Sequence, residues 1–154
     1  MKVTRSTYHV ANAEDWINLA QKIAPELKPG MILALSGPLG AGKTTFVQAL
    51  AKKLGAKDHP RSPTFSLVRT YQLKAKSYPL SRLVHVDAYR IEKPEDLLPL
   101  NLEEELQEPE TIIALEWPEN VEPWLKKQPS VIECKISVKE NQEREVSWLS
   151  DASS

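Results

Sequence analysis

The stretch Gly37-Pro38-Leu39-Gly40-Ala41-Gly42-Lys43-Thr44 fits the spacing G-x-x-x-x-G-K-[ST]. Glycines at these positions let the backbone curl until successive N–H groups point inward at a phosphate. A lysine then reaches the outer phosphates, and the hydroxyl after it binds Mg2+. In this chain those two are Lys43 and Thr44. The flanks agree. Met31-Ile32-Leu33-Ala34-Leu35 is a short apolar run of the kind that forms a buried parallel strand. Phe46, Val47, Leu50, Ala51 and Leu54 recur at helical spacing behind the loop, and Gly55 stands where a helix-terminating glycine belongs. The new helix aims its positive dipole end at the phosphates. Pro38 has no N–H. The wrapping donors therefore fall later, from Gly40 through Ala41, Gly42 and Lys43 to Thr44 and Thr45 at the helix start.

A chain of 154 residues can bury one substantial core but not two ordinary ones, so residues 1–150 read as a single domain and 151–154 as a frayed tail. The net charge of −1 argues against a protein that holds nucleic acid by bulk electrostatics. Cys134 is the only cysteine, which excludes an intrachain disulfide. No leader and no apolar run of membrane-spanning length is visible, and the default expectation is a cytoplasmic protein.

Residues 2–10 read as a first strand. Asn12 is placed to cap the next helix, with Asp15 three residues on. Trp16, Leu19, Ala20, Ile23, Ala24 and Leu27 form one apolar stripe, so Trp16 reads as core before it reads as a base contact. Residues 66–73 and 82–89 read as strands joined as a hairpin. Pro94 fits the first position of a short helix in the acidic segment 92–110, where Leu97, Leu98, Leu100, Leu102 and Leu106 should pin it down. Basic side chains instead gather at 52–82, and the two oppositely charged regions could dock a partner or be two solvated faces. Ile132, Cys134, Ile136 and Val138 alternate with polar residues as in a half-buried strand, and Arg144, Val146 and Trp148 lie on a last strand antiparallel to it.

Three positions beyond the loop carry candidate chemistry. The loop His59–Phe65 follows the P-loop helix, where P-loop NTPases keep a first switch, and Thr64 there is either a second hydroxyl near Mg2+ or a plain turn residue. Leu83-Val84-His85-Val86-Asp87 is apolar and ends on an acid, which lets Asp87 reach a metal beside the loop. His85, with no second His or Cys nearby, reads as a satisfied core residue. Thr111-Ile112-Ile113-Ala114-Leu115 is a buried strand that runs into Glu116-Trp117-Pro118-Glu119. Glu116 is either a group that orients the attacking water and meets the metal, or a surface carboxylate at a strand exit. Trp117 either packs over the site or anchors the Pro118 turn.

Four pieces in this order, G-P-L-G-A-G-K-T-T-F at 37–46, S-P-T-F at 62–65, H-V-D-A-Y-R at 85–90 and E-W-P-E at 116–119, resemble the TsaE family of small bacterial P-loop ATPases. The resemblance covers roughly Asn12 to Arg144. It implies an α/β fold, a P-loop NTPase-like three-layer sandwich with a mixed, mainly parallel sheet and antiparallel additions. It implies ATP and Mg2+ held by Gly37, Leu39, Gly40, Ala41, Gly42, Lys43, Thr44 and Thr45 with Trp117 alongside. By the same resemblance Thr44, Asp87 and Glu116 serve the metal, and Lys43, Thr64 and Glu116 the reaction. The partners implied are the TsaB and TsaD proteins, with tRNA engaged only indirectly and no membrane. The role implied is an accessory ATPase for threonylcarbamoylation of the adenosine next to the anticodon. Pro38 departs from the family's usual Asp, and Asn101 and Glu105 from its usual Gly and Tyr. The competing expectation is a small-molecule or nucleoside kinase, although only scattered arginines, Arg61, Arg69, Arg82, Arg90 and Arg144, follow the P-loop helix. No N-K-x-D for guanine is present.

Overall fold

The computed structural model describes residues 3–57 and 67–151. Its sheet has the strand order β1-β7-β6-β2-β5-β4-β3. The strands are β1 (Val3–Val10), β2 (Ile32–Ser36), β3 (Val68–Gln72), β4 (Arg82–Asp87), β5 (Thr111–Glu116), β6 (Val131–Val138) and β7 (Arg144–Asp151). The centre, β6-β2-β5-β4, is parallel, and β3, β7 and β1 are antiparallel additions at the two sides. The α/β class and the mixed sheet are as the sequence indicates. The strand expected at 66–73 runs over Val68–Gln72, its first residue lying outside the described ones, and the strand expected at 82–89 stops at Asp87. Of the tail expected at 151–154, Asp151 ends β7 and pairs with Val3, and the other three residues lie outside the described ones.

Alternation along the central strands divides the core in two. Leu33, Leu35, Leu83, Ile112 and Ala114 face one side, under α1 (Ala13–Ile23) and α2 (Lys43–Lys53). Ile32, Val84, Val86, Ile113 and Leu115 face the other, under the 3-10 turns Pro94–Leu100 and Pro118–Val121 and the short helices α3 (Leu102–Gln107) and α4 (Glu122–Leu125). Both faces of β5 are therefore covered, which explains its unbroken apolar run. Phe46, Val47, Leu50 and Leu54 of the α2 unit are essentially fully buried, each contributing about 1.5–3 kcal/mol of apolar transfer.

The helix ends follow their sequence signals. Asn12 accepts the Asp15 N–H at 3.0 Å, and the Asp15 carboxylate reaches back to the Ala11 N–H at 2.8 Å. Behind α2 the Gly55 N–H donates to Lys52 and the Ala56 N–H to Ala51, the paired bonds of a Schellman ending, with Gly55 at φ 97°. One expectation in the acidic segment needs correction. Leu98 does not pin the acidic segment, being 71 % exposed, because the 3-10 turn there points it away from buried Leu97. The acidic segment is also partly consumed internally: Arg82 pairs with Glu105 at 2.6 Å, and the Trp124 indole N–H donates to Glu103. Among the described residues no helix is long and apolar enough to cross a membrane.

Candidate functional site

The carboxyl ends of the adjacent parallel strands β2, β5 and β4 open onto one edge of the sheet, the position where open α/β sheets place their ligands. The P-loop leaves β2 there, and Asp87 and Glu116 end β4 and β5 in direct register with each other. The result is a cavity of about 320 Å³ between the loop, the two acids and Trp117. Every residue expected at the phosphates, the metal or the catalytic edge lines it except Gly37 and Thr64. Gly37 lies beneath the loop against β6, where an added Cβ would stand 2.6 Å from the Ile136 carbonyl oxygen. Thr64 and the loop expected to switch lie outside the described residues.

The loop's own chemistry is internally satisfied. Gly40 and Gly42 take φ of 76° and 111°, conformations that glycine adopts without strain. Lys43 is buried and donates to the carbonyls of Gly37 and Pro38, and its ammonium stands 3.7 Å from the centre of the Trp117 ring. That contact is a cation–π interaction of roughly 0.5–2 kcal/mol. Trp117 is held in the left-handed region at φ 62° and packs on Tyr89 at 5.0 Å between ring centres. Thr44 donates its hydroxyl to both Glu116 oxygens, at 2.9 and 3.1 Å. Asp87 accepts the Tyr89 N–H at 3.0 Å.

Glu116 is 3 % exposed, so the surface-carboxylate alternative does not describe it. His85, also fully buried, places Nε2 2.5 Å from Glu116 Oε2. The sequence reading missed that contact, although period-two alternation already sets His85 on the same face of β4 as Asp87. Arg144 was missed as well. It donates to the carbonyls of Gly40 at 3.0 Å and Ala41 at 3.3 Å, clamping the loop from β7. No local signal could have revealed a contact across more than a hundred residues of chain. Trp16 is core, as expected, yet its ring also walls a second cavity on the far side of the loop, next to Asn12 and Arg144. The two cavities share Gly40, Ala41, Gly42 and Thr45.

Burial sets the electrostatics. Desolvation pushes the Lys43 ammonium below its ordinary pKa, against the pull of Glu116, Glu119 and Asp87. Desolvation likewise raises the Asp87 carboxyl, helped by Glu116 and opposed by the Tyr89 N–H, His85 and Lys43. A carboxyl whose folded pKa is raised costs stability while it is ionised, and the cost disappears as pH falls through the folded pKa to the ordinary value of 3.8. Asp87→Asn keeps the acceptor for Tyr89 and removes the charge. It is expected to raise the melting temperature of the nucleotide-free protein at pH 7, with the gain shrinking toward pH 4. Melting curves across that range test this, and an Asn variant no more stable than the parent at pH 7 would refute it.

Comparison with known proteins decides the family. Residues 10–146 match the family described as "Threonylcarbamoyl adenosine biosynthesis protein TsaE". The chain belongs to the TsaE family. A TsaE relative from Rickettsia felis, named "tRNA threonylcarbamoyladenosine biosynthesis protein TsaE", is 35 % identical over 143 residues, covering 92 % of this chain and 78 % of its own. A TsaE protein of the same name from Aquifex aeolicus reaches 48 % identity over 80 residues, about half of each chain (51 % and 56 %). Among solved structures, that of Bacillus subtilis YdiB superposes with a TM-score of 0.70 at 26 % identity, covering 97 % of this chain and 88 % of the other.

Proposed function

We propose that this TsaE-family chain acts in tRNA threonylcarbamoyladenosine biosynthesis as one Mg2+-dependent ATPase domain that works on a TsaB–TsaD pair. The carrying observation is the meeting of Lys43, Thr44, Asp87 and Glu116 in one cavity beside a glycine-rich loop at a helix start. The donor set suits Mg2+ with a nucleotide. Among the described residues no three acids, histidines or cysteines converge on a metal by themselves. Mg2+ asks for little more than one or two carboxylates and a hydroxyl, taking its other ligands from phosphate and water. Thr44, Asp87 and Glu116 are the residues that would hold it, and bound there it would neutralise phosphate charge.

The protein's own part is to bind and orient. Lys43 leaves the Gly37 and Pro38 carbonyls for the outer phosphates, and the backbone N–H groups from Gly40 into α2 receive the rest. Glu116 turns a carboxylate oxygen to the attacking water and holds its proton. Thr64, which lies outside the described residues, is the candidate for a second hydroxyl near the metal and the outer phosphate. Trp117 registers the departure of Lys43 from its ring. We assign the base and ribose to the second cavity, which Trp16, Asn12 and Arg144 help to line. The kinase alternative loses ground because Arg144 is committed to the loop carbonyls and Arg82 to Glu105, which leaves neither for a phosphate lid.

A chain that spends its site on ATP and has a net charge of −1 must pass the effect of hydrolysis to another protein rather than to tRNA directly. Slow ATP turnover alone and faster turnover with purified TsaB and TsaD is therefore the expected result. In cells, replacing the native copy with Lys43→Ala should strip threonylcarbamoyladenosine from tRNAs that read ANN codons, as measured by mass spectrometry of tRNA nucleosides. Persistence of the modification at normal level would end this reading.

A further inference from the structure

We infer that His85 is a positioning residue for the ATPase reaction: its Nε2 fixes the Glu116 carboxylate from beneath, so that one oxygen is committed and the other is presented to the site. The inference rests on the ATPase reading above.

The geometry has three parts. First, alternation places Leu83, His85 and Asp87 on the α2 side of β4, and in the parallel register His85 stands opposite Ala114 and Asp87 opposite Glu116. Ala114 ends at Cβ, so nothing of its side chain fills the space along β5. The imidazole reaches the diagonal neighbour, with Nε2 2.5 Å from Glu116 Oε2. A carboxylate only accepts, so Nε2 carries the hydrogen.

Second, the ring is wholly buried, and its Nδ1 has no hydrogen-bond partner among the described residues. A histidine kept merely to fill the core would satisfy both nitrogens, or would be an apolar residue. Here one nitrogen has no partner among the described residues and the other meets Glu116.

Third, among the described residues the other side-chain hydrogen bonds to Glu116 come from Thr44. In the ATPase reading the Thr44 oxygen would also serve the metal, so its bond to Glu116 would have to adjust when ATP binds, although the hydroxyl hydrogen stays available to the carboxylate. The imidazole lies beneath the acid and is not part of that adjustment. It therefore keeps Glu116 in one rotamer through the cycle.

The test uses the full chain and two variants. His85→Leu fills the space without a donor, and His85→Gln offers an amide N–H near the position of Nε2. With TsaB and TsaD present, His85→Leu should lower kcat about 10–100-fold, the usual cost of removing a group that orients a ligand carboxylate. ATP affinity should stay within about threefold of the parent and the melting temperature should not fall. His85→Gln should recover most of the loss in kcat. On a Thr44→Ala background, where His85 is the one remaining side-chain donor to Glu116 among the described residues, nucleotide-free crystals should show the carboxylate in one rotamer with His85 and in more than one with His85→Leu. Loss of kcat, affinity and melting temperature together, with no recovery by Gln, would assign His85 a structural role and overturn the inference, as would full kcat in His85→Leu. If the parent chain itself shows no ATP turnover, the ATPase reading fails, and the rotamer of Glu116 still decides whether His85 fixes that side chain.

Discussion

Glu116→Ala is expected to bind ATP almost as tightly as the parent chain and to turn it over about 10²–10³-fold more slowly, a loss of the size seen when a preorganised polar group is taken from a reacting centre. The reason is where the carboxylate sits. It meets Thr44, His85 and the cavity edge, so in the proposed reading its work falls on the attacking water, with Thr44 and Asp87 left to hold the metal in its absence. Lys43→Ala should behave differently. Among the described lysines and arginines only Lys43 lines the cavity, and in the proposed reading its removal weakens ground-state binding and turnover together. Isothermal calorimetry and single-turnover hydrolysis on the two variants separate the cases. A Glu116→Ala protein that loses ATP affinity as badly as Lys43→Ala would move Glu116 from catalysis to binding.

The second large effect is expected at Gly42. Its backbone lies at φ 111°, and a Cβ built there would stand 2.4 Å from Trp16 Cζ2 and 3.0 Å from Cε2. Gly42→Ala thus meets two penalties, an unfavourable left-handed conformation and a collision with a buried ring. Together they should cost roughly 2–4 kcal/mol, on the order of 5–15 °C in melting temperature for a chain of this size. The loop should also shift enough to lose nucleotide. Adding Trp16→Leu to Gly42→Ala relieves the collision but not the φ term, so the double variant should regain only part of the stability the single one lost. Gly40→Ala is the control: its φ of 76° is also positive, yet nothing lies within 4 Å of its Cβ position. Gly42→Ala should therefore be clearly the worse of the two. Equal melting temperatures for the two variants would mean that the loop does not rest on Trp16.

Much of the site was legible because its determinants are local. The glycine spacing at 37–44 needs only a few turns of dihedral angle, and β2, loop and α2 follow one another without a break. Apolar runs that end on Asp87 and Glu116 identify strands whose carboxyl ends share an edge, since parallel neighbours in an open sheet must align that way. The alternation at Ile132, Cys134 and Ile136 correctly set those residues inward, where burial also pushes the Cys134 thiol up to about 12.

The tertiary structure alone decided what those faces meet. Period and spacing state which side of a strand a residue occupies, not which strand comes to lie beside it, because pairing order is fixed by contacts far apart in sequence. So β7 could be recognised as a strand, but only its place between β1 and β6 brings Arg144 onto the carbonyls of Gly40 and Ala41. His85 could be assigned to the core, but only the parallel register with β5, and the small Ala114 opposite it, turn its ring onto Glu116. Lys43 could be assigned to phosphate, but its rest position over Trp117 depends on a left-handed residue at the end of a different strand. Local spacing and periodicity were enough to locate the loop, the acids and the sheet edge they occupy. The fold decided which buried partners hold them, because those partners arrive only when distant strands pair.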